Sequence, residues 1–427
     1  MGLLGTRQQA ATWEDIEPFY EELRKKFPNM GARGMVSKLR REHGLKVPEF
    51  FLLDCFKVVD PGGIQQRKRK RFRRKRFWSA GVMDIMTFDQ HDKWKRFGLW
   101  LHVGLDPFAG RIAWLKIWWT NRNSKLITSY YLEACRSIGG IPLITQSDLG
   151  SENNGIANCH TVTRQRLDPS LKGTLQHRWT SKTGMNVKPE ACWSQLRRNW
   201  TPGFENLLDS GVNANLYDRN NPLQRLVFRW LAIPWLQAEL DTWVQHYNST
   251  SRRADKHKIL PHGIPDMIAS KPRQFGTTDY KVIVSPELFD EMETQWAPSD
   301  NPVFLLVPHA FEQQAQKLYG TMGSPPVTYD NLWDLYSALL NAFQAVDIDA
   351  AFHEVINAAD THFEGPVDLI EDQVPLGYGA DESGTPIGDL GYEYLGGLLD
   401  PPRVGNDGND YDREYADLTP SEDSDAE

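Results

Sequence analysis

The order of apolar patterns between residues 82 and 199 predicts an α/β fold with five strands. Alternating or short continuous apolar runs predict the strands at about 82–89, 98–105, 111–119, 143–147 and 174–178. Helical spacing of apolar residues predicts the helices at 124–138, about 156–165 and about 188–199. An Asp-Pro-Phe-Ala-Gly turn joins the second and third strands, and Gly139-Gly140 ends the first helix. The predicted order is three strands, helix, strand, helix, short strand, helix.

Residues 1–62 are predicted to form a small helical module with the outline of a helix-turn-helix. Its helices are expected at 13–27, after Thr12 as N-cap, at 32–43, ended by Gly44, and at 49–59. The third helix holds only Lys57 as a base, whereas a base-reading helix usually presents Arg, Lys, Asn or Gln. Two interpretations therefore stay open: a DNA-recognition module, or a helical bundle that packs on the core or on a partner chain.

The C-terminal part of the chain predicts an α+β extension followed by a tail. Helices are expected at 222–247, broken at Ile233-Pro234, and at 331–344 and 350–359, with strands at 280–285 and 302–307. From Pro366 onward the Gly, Pro, Asp and Glu content cannot support a packed core. This acidic tail is predicted to be disordered.

The net charge of −8 conceals a strong charge asymmetry along the chain. Nine of the ten residues 67–76 (RKRKRFRRKR) are basic, whereas the last sixty or so residues carry seventeen Asp and Glu against Arg403 and Arg413. Such a basic run suits a DNA backbone, and it also has the composition of a nuclear localisation signal read by importin. The alternative is a solvated linker. The expected partner is DNA and the expected location is the nucleus.

Four widely spaced cysteines and the absence of long apolar runs indicate the compartment. Cys55, Cys135, Cys159 and Cys192 form no CxxC pair, so they are interpreted as free thiols in a reducing environment, with no zinc site. No secretory signal or membrane-spanning run is apparent. The sequence predicts an intracellular soluble protein without membrane contact.

Three acidic residues stand in distinctive sequence frames. Asp89 lies in FDQHDKW at a strand end, Asp148 in TQSDLGSEN after an apolar strand, and Glu190 in NVKPEACWSQLRR in the first turn of a helix. Two strand-end aspartates and a helical glutamate can converge into an oxygen-rich cluster, which suits Mg²⁺ or Mn²⁺. Two such ions about 4 Å apart support phosphoryl transfer on nucleic acid. Asp84 is the rival for the first position.

The stretch from about Phe77 to Pro272 resembles a retroviral-type integrase or DDE-transposase core of the RNase H-like superfamily, and is similar to the integrase-core proteins of fungal genomes. The resemblance rests on these frames: DxxDKW from Asp89, HxGLDPxxGRI from His102, SDxGSEN from Ser147, NxKPExxW from Asn186, and HYN from His246 with LPHGIP from Leu260. It implies an RNase H-like core, a mixed five-stranded sheet flanked by helices, over residues 77–272. The remaining boundaries are then 1–62, a basic linker at 63–76, an accessory region at 273–365 and the tail at 366–427.

The resemblance also implies roles for individual residues. Asp89 and Asp148 would bridge or flank two Mg²⁺ (or Mn²⁺) ions, and Glu190 would complete the second site. Glu152, Asn153, Asn186 and Trp193 are candidates for contacts behind the metal or with substrate. Candidates for DNA backbone contacts are Arg67, Lys68, Arg69, Lys70, Arg71, Arg73, Arg74, Lys75, Arg76, Arg252 and Arg253. Asp92 and Asp106 are interpreted instead as turn residues.

The expected activity is metal-dependent DNA strand cleavage and strand transfer, that is, DNA integration by a homo-oligomer. Two alternatives remain open at this point. One is a domesticated, non-catalytic protein that binds DNA or chromatin, and the other is an RNase H-like nuclease with the same metal site. The amino-terminal region lacks the His-His-Cys-Cys pattern of retroviral integrases, so zinc is not expected.

Overall fold

A computed structural model describes residues 12–62, 64, 77–180, 186–252, 259–346, 350–358 and 367–373. The basic run 67–76, Arg253 and the part of the acidic tail from residue 374 onward lie outside the described residues. The described residues fall into two compact units. The first consists of residues 12–64 with 192–214, and the second of residues 77–191 with 215–373.

The first unit is helical. Its helices are α1 (Trp13–Lys26), α2 (Ala32–Glu42), α3 (Glu49–Val59), the second half of α6 (Val187–Asn199), and α7 (Thr201–Asn213). The predicted N-cap is confirmed, because the Thr12 side chain accepts from the Asp15 N–H while the Asp15 carboxylate accepts from the Thr12 N–H. Gly203 allows close packing of α7 on α1, since a Cβ there would lie 2.1 Å from the Lys26 carbonyl oxygen. The three amino-terminal helices are therefore present as predicted.

The second unit is built on a mixed five-stranded sheet with the strand order β3-β2-β1-β5-β6. Its strands are β1 (Ile85–His91), β2 (Trp100–Asp106), β3 (Arg111–Trp118), β5 (Ile144–Asp148) and β6 (His177–Thr180). β1, β2 and β3 pair in antiparallel fashion, while β5 is parallel to both β1 and β6. The predicted fold class is confirmed. The last strand starts later than predicted, because the Thr174 N–H is used in a turn with the Leu171 carbonyl.

Helices α4 (Ser124–Ile138) and α5 (Asn154–Leu167) pack on the sheet together with the long helix α8 (Pro222–Ser249). α8 covers the outer edge of β3. Gln237 accepts from the Ile117 N–H and donates to the Leu115 carbonyl, and Asn248 likewise serves both main-chain groups of Ile112. The unpaired backbone groups of an edge strand are thereby satisfied by helix side chains.

The predicted break at Ile233-Pro234 is wrong, since α8 runs continuously through Pro234. A proline inside a helix costs about 3 kcal/mol. Here Pro234 lies on the exposed face, whereas Ile233 and Leu236 on either side of it are buried. Burial of the apolar residues of this helix outweighs the lost hydrogen bond.

The C-terminal region of the second unit is mostly helical. Its elements are α9 (Pro265–Ser270), β7 (Val282–Ile283), which pairs with β4 (Gly140–Ile141), α10 (Pro286–Trp296), α11 (His309–Thr321), α12 (Leu332–Ala345) and α13 (Ala350–Ala358). α10 packs on α4 and α5, and α12 packs on α8. None of the described helices is long and apolar enough to cross a bilayer.

The predicted strand at 302–307 is wrong, because this segment begins with a 3-10 helix at Pro302–Phe304. Asn301 caps that turn by accepting from the Val303 N–H. The carbonyls of Val303 and Leu305 accept from the indole N–H groups of Trp118 and Trp119. Indole donors thus take the place of a neighbouring strand.

Candidate active site

Asp148 ends strand β5 and is held by a neighbour on β6. The two residues Asp148 and Thr180 are paired in the β5–β6 ladder, and the Thr180 hydroxyl donates to Oδ1 of Asp148. Burial raises the pKa of the Asp148 carboxyl, and the Thr180 hydrogen bond opposes this by stabilising the ionised form. Asp148 is therefore a partly desolvated carboxylate that a cation would stabilise.

Asp89 lies beside Asp148 because of the register of two parallel strands. The β1–β5 ladder pairs Ile85 with Ile144 and Thr87 with Gln146. Two residues further along each strand come Asp89 and Asp148. Since side chains two apart point to the same face, both carboxylates belong to one face of the sheet at adjacent strand ends.

The rival acid, Asp84, serves the loop before β1. It is fully buried, and its Oδ2 accepts from the Ala80 N–H at 2.7 Å and from the Ser79 hydroxyl at 3.0 Å. It precedes Asp89 by an odd number of residues, which would orient the two side chains to opposite faces of an extended chain. Asp84 thus stabilises the turn at residues 79–81, away from the register shared by Asp89 and Asp148.

Glu190 lies in the first turn of α6, and Asn186 connects this turn to β1. The fully buried Asn186 donates from Nδ2 to the carbonyl of Phe88 at 2.9 Å, next to Asp89. Its own carbonyl accepts from the Glu190 N–H at 3.3 Å. One residue therefore positions the start of the glutamate helix against the strand that carries the first aspartate. The sequence identified Asn186 but not this contact.

The loop after Asp148 brings further polar groups to the same strand end. A 3-10 turn spans Ser151–Asn153, and Asn153 donates from Nδ2 to the Asp148 carbonyl at 3.3 Å. Glu152 folds back over Gly150, where a Cβ would lie 2.1 Å from its Oε1. Burial raises the pKa of Glu152 and repulsion from Asp92 adds to this, whereas a hydrogen bond from Gln90 lowers it.

Gln90 and Thr180 are contributors that the sequence did not predict. Gln90 follows Asp89 directly and contacts Glu152, while Thr180 contacts Asp148. Both contacts join residues that are far apart in the chain. The sequence offered one indication that Gln90 belongs to the candidate site, namely its position inside the FDQHDKW frame.

The remaining predicted residues have diverse surroundings. Asp106 accepts from the N–H groups of Phe108, Ala109 and Met83, as expected of a turn aspartate, and burial raises its pKa to about 7. Asp92 accepts from the Asn121 amide and its carbonyl caps a turn at Lys95. Trp193 is buried within the first unit.

Arg252 is the one predicted DNA-contact residue among those that the structure describes. Its guanidinium donates to the Gly110 carbonyl and lies 4.4 Å from the centroid of the Tyr247 ring. These contacts hold it beside the turn between β2 and β3. Contact with a phosphate stays a prediction.

The donors at the strand ends are of the kind that hard divalent cations prefer. The acids supply only oxygen atoms. Thr87 and Gln146, which precede the two aspartates by two residues, have buried side-chain oxygens (Oγ1 and Oε1) that accept no hydrogen bond from the described residues. Still, no group of three or more His, Cys, Asp or Glu side chains in the described ranges is arranged to hold a metal ion. The chemistry fits Mg²⁺ or Mn²⁺, but the three acids do not form a finished three-ligand site.

A mixed sheet with two acids in register at adjacent strand ends defines the class: an RNase H-like fold of the polynucleotidyl transferase superfamily. The family follows from a direct match. Residues 82–264 match the family model described as "Integrase core domain", so this chain is an integrase core domain-containing protein. No curated protein matches the chain.

Proposed function

We propose that this chain is a metal-dependent polynucleotidyl transferase that cleaves DNA strands and joins them to a target, as integrases and transposases do. The observation that carries this proposal is the register of β1 and β5, in which Asp89 and Asp148 each lie two residues beyond the last ladder pair, Thr87 and Gln146. The connection of Glu190 to β1 through Asn186 supports it, because it puts the third acid on an element attached to the same strand.

Each acid has a distinct part in this proposal. Asp89 and Asp148 would hold divalent metal from two strands of the sheet, and Glu190 would add a carboxylate from the helix. The chemistry that Mg²⁺ or Mn²⁺ supplies when bound is activation of a hydroxyl nucleophile and stabilisation of the departing 3′-oxygen. The Thr180 hydroxyl opposes the rise in the pKa of Asp148 that burial causes, and so favours the ionised form that a metal needs.

DNA is the proposed substrate because basic residues accompany the core, in addition to the match with the integrase core family. The basic residues 67–76 precede the core, and Arg252 lies near the β2–β3 turn of the same core. Neutralisation of phosphates dominates the affinity of such surfaces and makes it sensitive to salt. Entry to the nucleus through the same basic run is part of this proposal, as is assembly into a homo-oligomer.

The decisive experiment compares the Asp148→Asn variant with wild type in a strand-transfer assay with Mg²⁺ or Mn²⁺, a labelled double-stranded oligonucleotide as donor and a plasmid as target. Activity should fall by more than about 100-fold, since a metal-holding carboxylate is lost. DNA binding at 100 mM salt should change little. Asp168→Asn, on an exposed turn outside the site, is the matched control and should retain activity. Full activity of Asp148→Asn would overturn the mechanism.

A second candidate function is DNA or chromatin binding without catalysis. It is favoured by one observation: the three acids do not form a finished three-ligand cluster in the described structure. For this candidate, Mn²⁺ should not bind at the acids, and DNA affinity should be the same with and without divalent metal. Electron paramagnetic resonance of Mn²⁺ with wild type and Asp148→Asn separates the two functions, because only the catalytic candidate predicts a difference.

A further inference from the structure

Helix α5, which begins directly after the loop of Asp148, binds the main chain of a distant segment. Asn154 donates to the carbonyl of Val367 at 2.8 Å, and Asn158 donates to the carbonyl of Asp368 at 2.8 Å. The Ile370 N–H in turn donates to Oδ1 of Asn158 at 3.1 Å. One further contact comes from Gln165, whose amide donates to the Gln373 side chain at 2.7 Å. Residues 367–373 are called the strap below.

These contacts have the character of peptide recognition. Asn154 and Asn158 are four residues apart and therefore lie on one face of the helix. Asn158 is only 1% exposed, and it uses both its donor and its acceptor on the strap main chain. Reading of main-chain groups by fixed polar groups is how an extended peptide is held largely independently of its sequence.

The strap buries only part of its own surface. Val367, Ile370 and Gln373 are partly buried, whereas the other four residues are exposed, and Leu369 keeps 38% of its surface in contact with solvent. The hydrogen bonds from α5 therefore act together with a small apolar contribution from Val367 and Ile370. An attachment of this kind can be released without unfolding of the core.

We propose that the Asn154–Asn158–Gln165 face of α5 is a binding site for an extended peptide, and that the strap of the same chain occupies it reversibly. The strap carries three acids, Asp368, Glu371 and Asp372, and is the beginning of the acidic tail 366–427, which the sequence predicts to be disordered throughout. Occupancy of the site therefore tethers that tail to the integrase core.

Two adjacent residues also connect this peptide-binding face to the loop between Asp148 and α5. Asn153 holds the Asp148 carbonyl, and Asn154 holds the Val367 carbonyl. A bound strap fixes the start of α5 and with it the loop that carries Asp148 and Glu152. This second part of the inference rests on the proposed metal function, whereas peptide binding does not.

The test uses the full chain with the change Ile370→Pro, which removes the N–H that Asn158 accepts and leaves α5 untouched. Leu369→Pro is the matched control, since the Leu369 N–H makes no hydrogen bond among the described residues. A fluorescent synthetic peptide of residues 365–375 is titrated against both variants and wild type, and binding is followed by anisotropy. The peptide should bind Ile370→Pro at least about tenfold more tightly than wild type, because its site is vacated.

Three outcomes decide the inference. Tight peptide binding to folded Ile370→Pro, with Leu369→Pro like wild type, supports it. Equal and weak binding to all three folded chains overturns it. A change of molar mass in light scattering between wild type and Ile370→Pro overturns occupancy within one chain and indicates exchange of the strap between two copies.

A second variant does not depend on proline. Asn154→Ala removes one contact from the helix side, and cleavage after Glu371 by a glutamate-specific protease should be faster than in wild type. Unchanged cleavage would count against a strap held by α5. For the coupling, Mn²⁺ should bind Ile370→Pro more weakly than Leu369→Pro. Absence of Mn²⁺ binding in wild type would instead contradict the proposed function and leave the peptide site standing.

Discussion

Asn186 offers the sharpest test of how the candidate site is positioned. Its side-chain amide lies 2.9 Å from the Phe88 carbonyl, and the residue has no exposed surface. Replacing it by alanine removes this hydrogen bond and leaves a buried carbonyl without that donor, which costs about 1–3 kcal/mol of stability. The same change releases the first turn of α6 from β1, so Glu190 loses its connection to the strand that carries Asp89.

The expected functional loss exceeds the loss of stability. A displacement of about 1 Å in a catalytic constellation can cost roughly 100-fold in rate. We therefore expect Asn186→Ala to lower strand transfer by about 10–100-fold at a temperature where the variant is fully folded. Urea unfolding measures the stability, and single-turnover strand transfer measures the rate.

Asn248→Ala is the matched control, because Asn248 also bonds the main chain of a strand through its amide. It makes two such bonds, to the Ile112 N–H at 2.9 Å and to the Ile112 carbonyl at 2.8 Å. Its loss should cost at least as much stability as the loss of Asn186, yet leave the rate per folded molecule unchanged. Equal rates for the two variants would refute a positioning role for Asn186.

Two further predictions address protonation. Thr180→Val keeps the side-chain volume but removes the hydroxyl that favours ionised Asp148, so the pH at which Mn²⁺ binding is half-maximal should rise. The control is Thr163→Val, because the Thr163 hydroxyl donates to the Cys159 carbonyl, away from the site. Identical pH profiles for the two variants would contradict the effect of Thr180 on Asp148. His160 is fully buried with a pKa lowered to about 3 chiefly by desolvation, so it stays neutral in the fold but takes up a proton on unfolding below pH 6.5. Wild type should therefore lose stability relative to His160→Gln as the pH falls from 6.5 towards 3, by about 1.4 kcal/mol of unfolding free energy per pH unit. A difference in unfolding free energy that does not change with pH would contradict this.

Elements with local signals could be predicted closely from the sequence. Helix α4 spans Ser124–Ile138 as predicted, because Asn123 caps its first turn by accepting from two N–H groups and Gly139 ends it with φ +70. Thr12 and the first helix follow the same logic. Caps are formed by neighbours in sequence, so sequence patterns report them directly.

Two of the errors arise where distant residues decide the outcome. Pro234 signals a break, yet packing of Ile233 and Leu236 keeps α8 whole. The apolar run after Pro302 has strand composition, but it pairs with no strand in the part of the chain that the structure describes, and two indole N–H groups donate to its carbonyls. The same limit applies at the candidate site, where Thr180 and Gln90 meet the acids across separate elements.

The arrangement of the three acids has a physical consequence for how the site could assemble. Asp89 and Asp148 lie two residues beyond Thr87 and Gln146, the last pair of the parallel ladder between β1 and β5, so the fold brings both aspartates to one end of that ladder. Glu190 is attached to the same strand through one side chain, Asn186, on a helix that follows residues 181–185, which the structure does not describe. Like charges oppose the gathering of three partly desolvated carboxylates without a cation. A bound cation would offset this repulsion, so metal binding itself would favour the approach of the three carboxylates, and this accounts for the absence of a three-ligand cluster among the described residues.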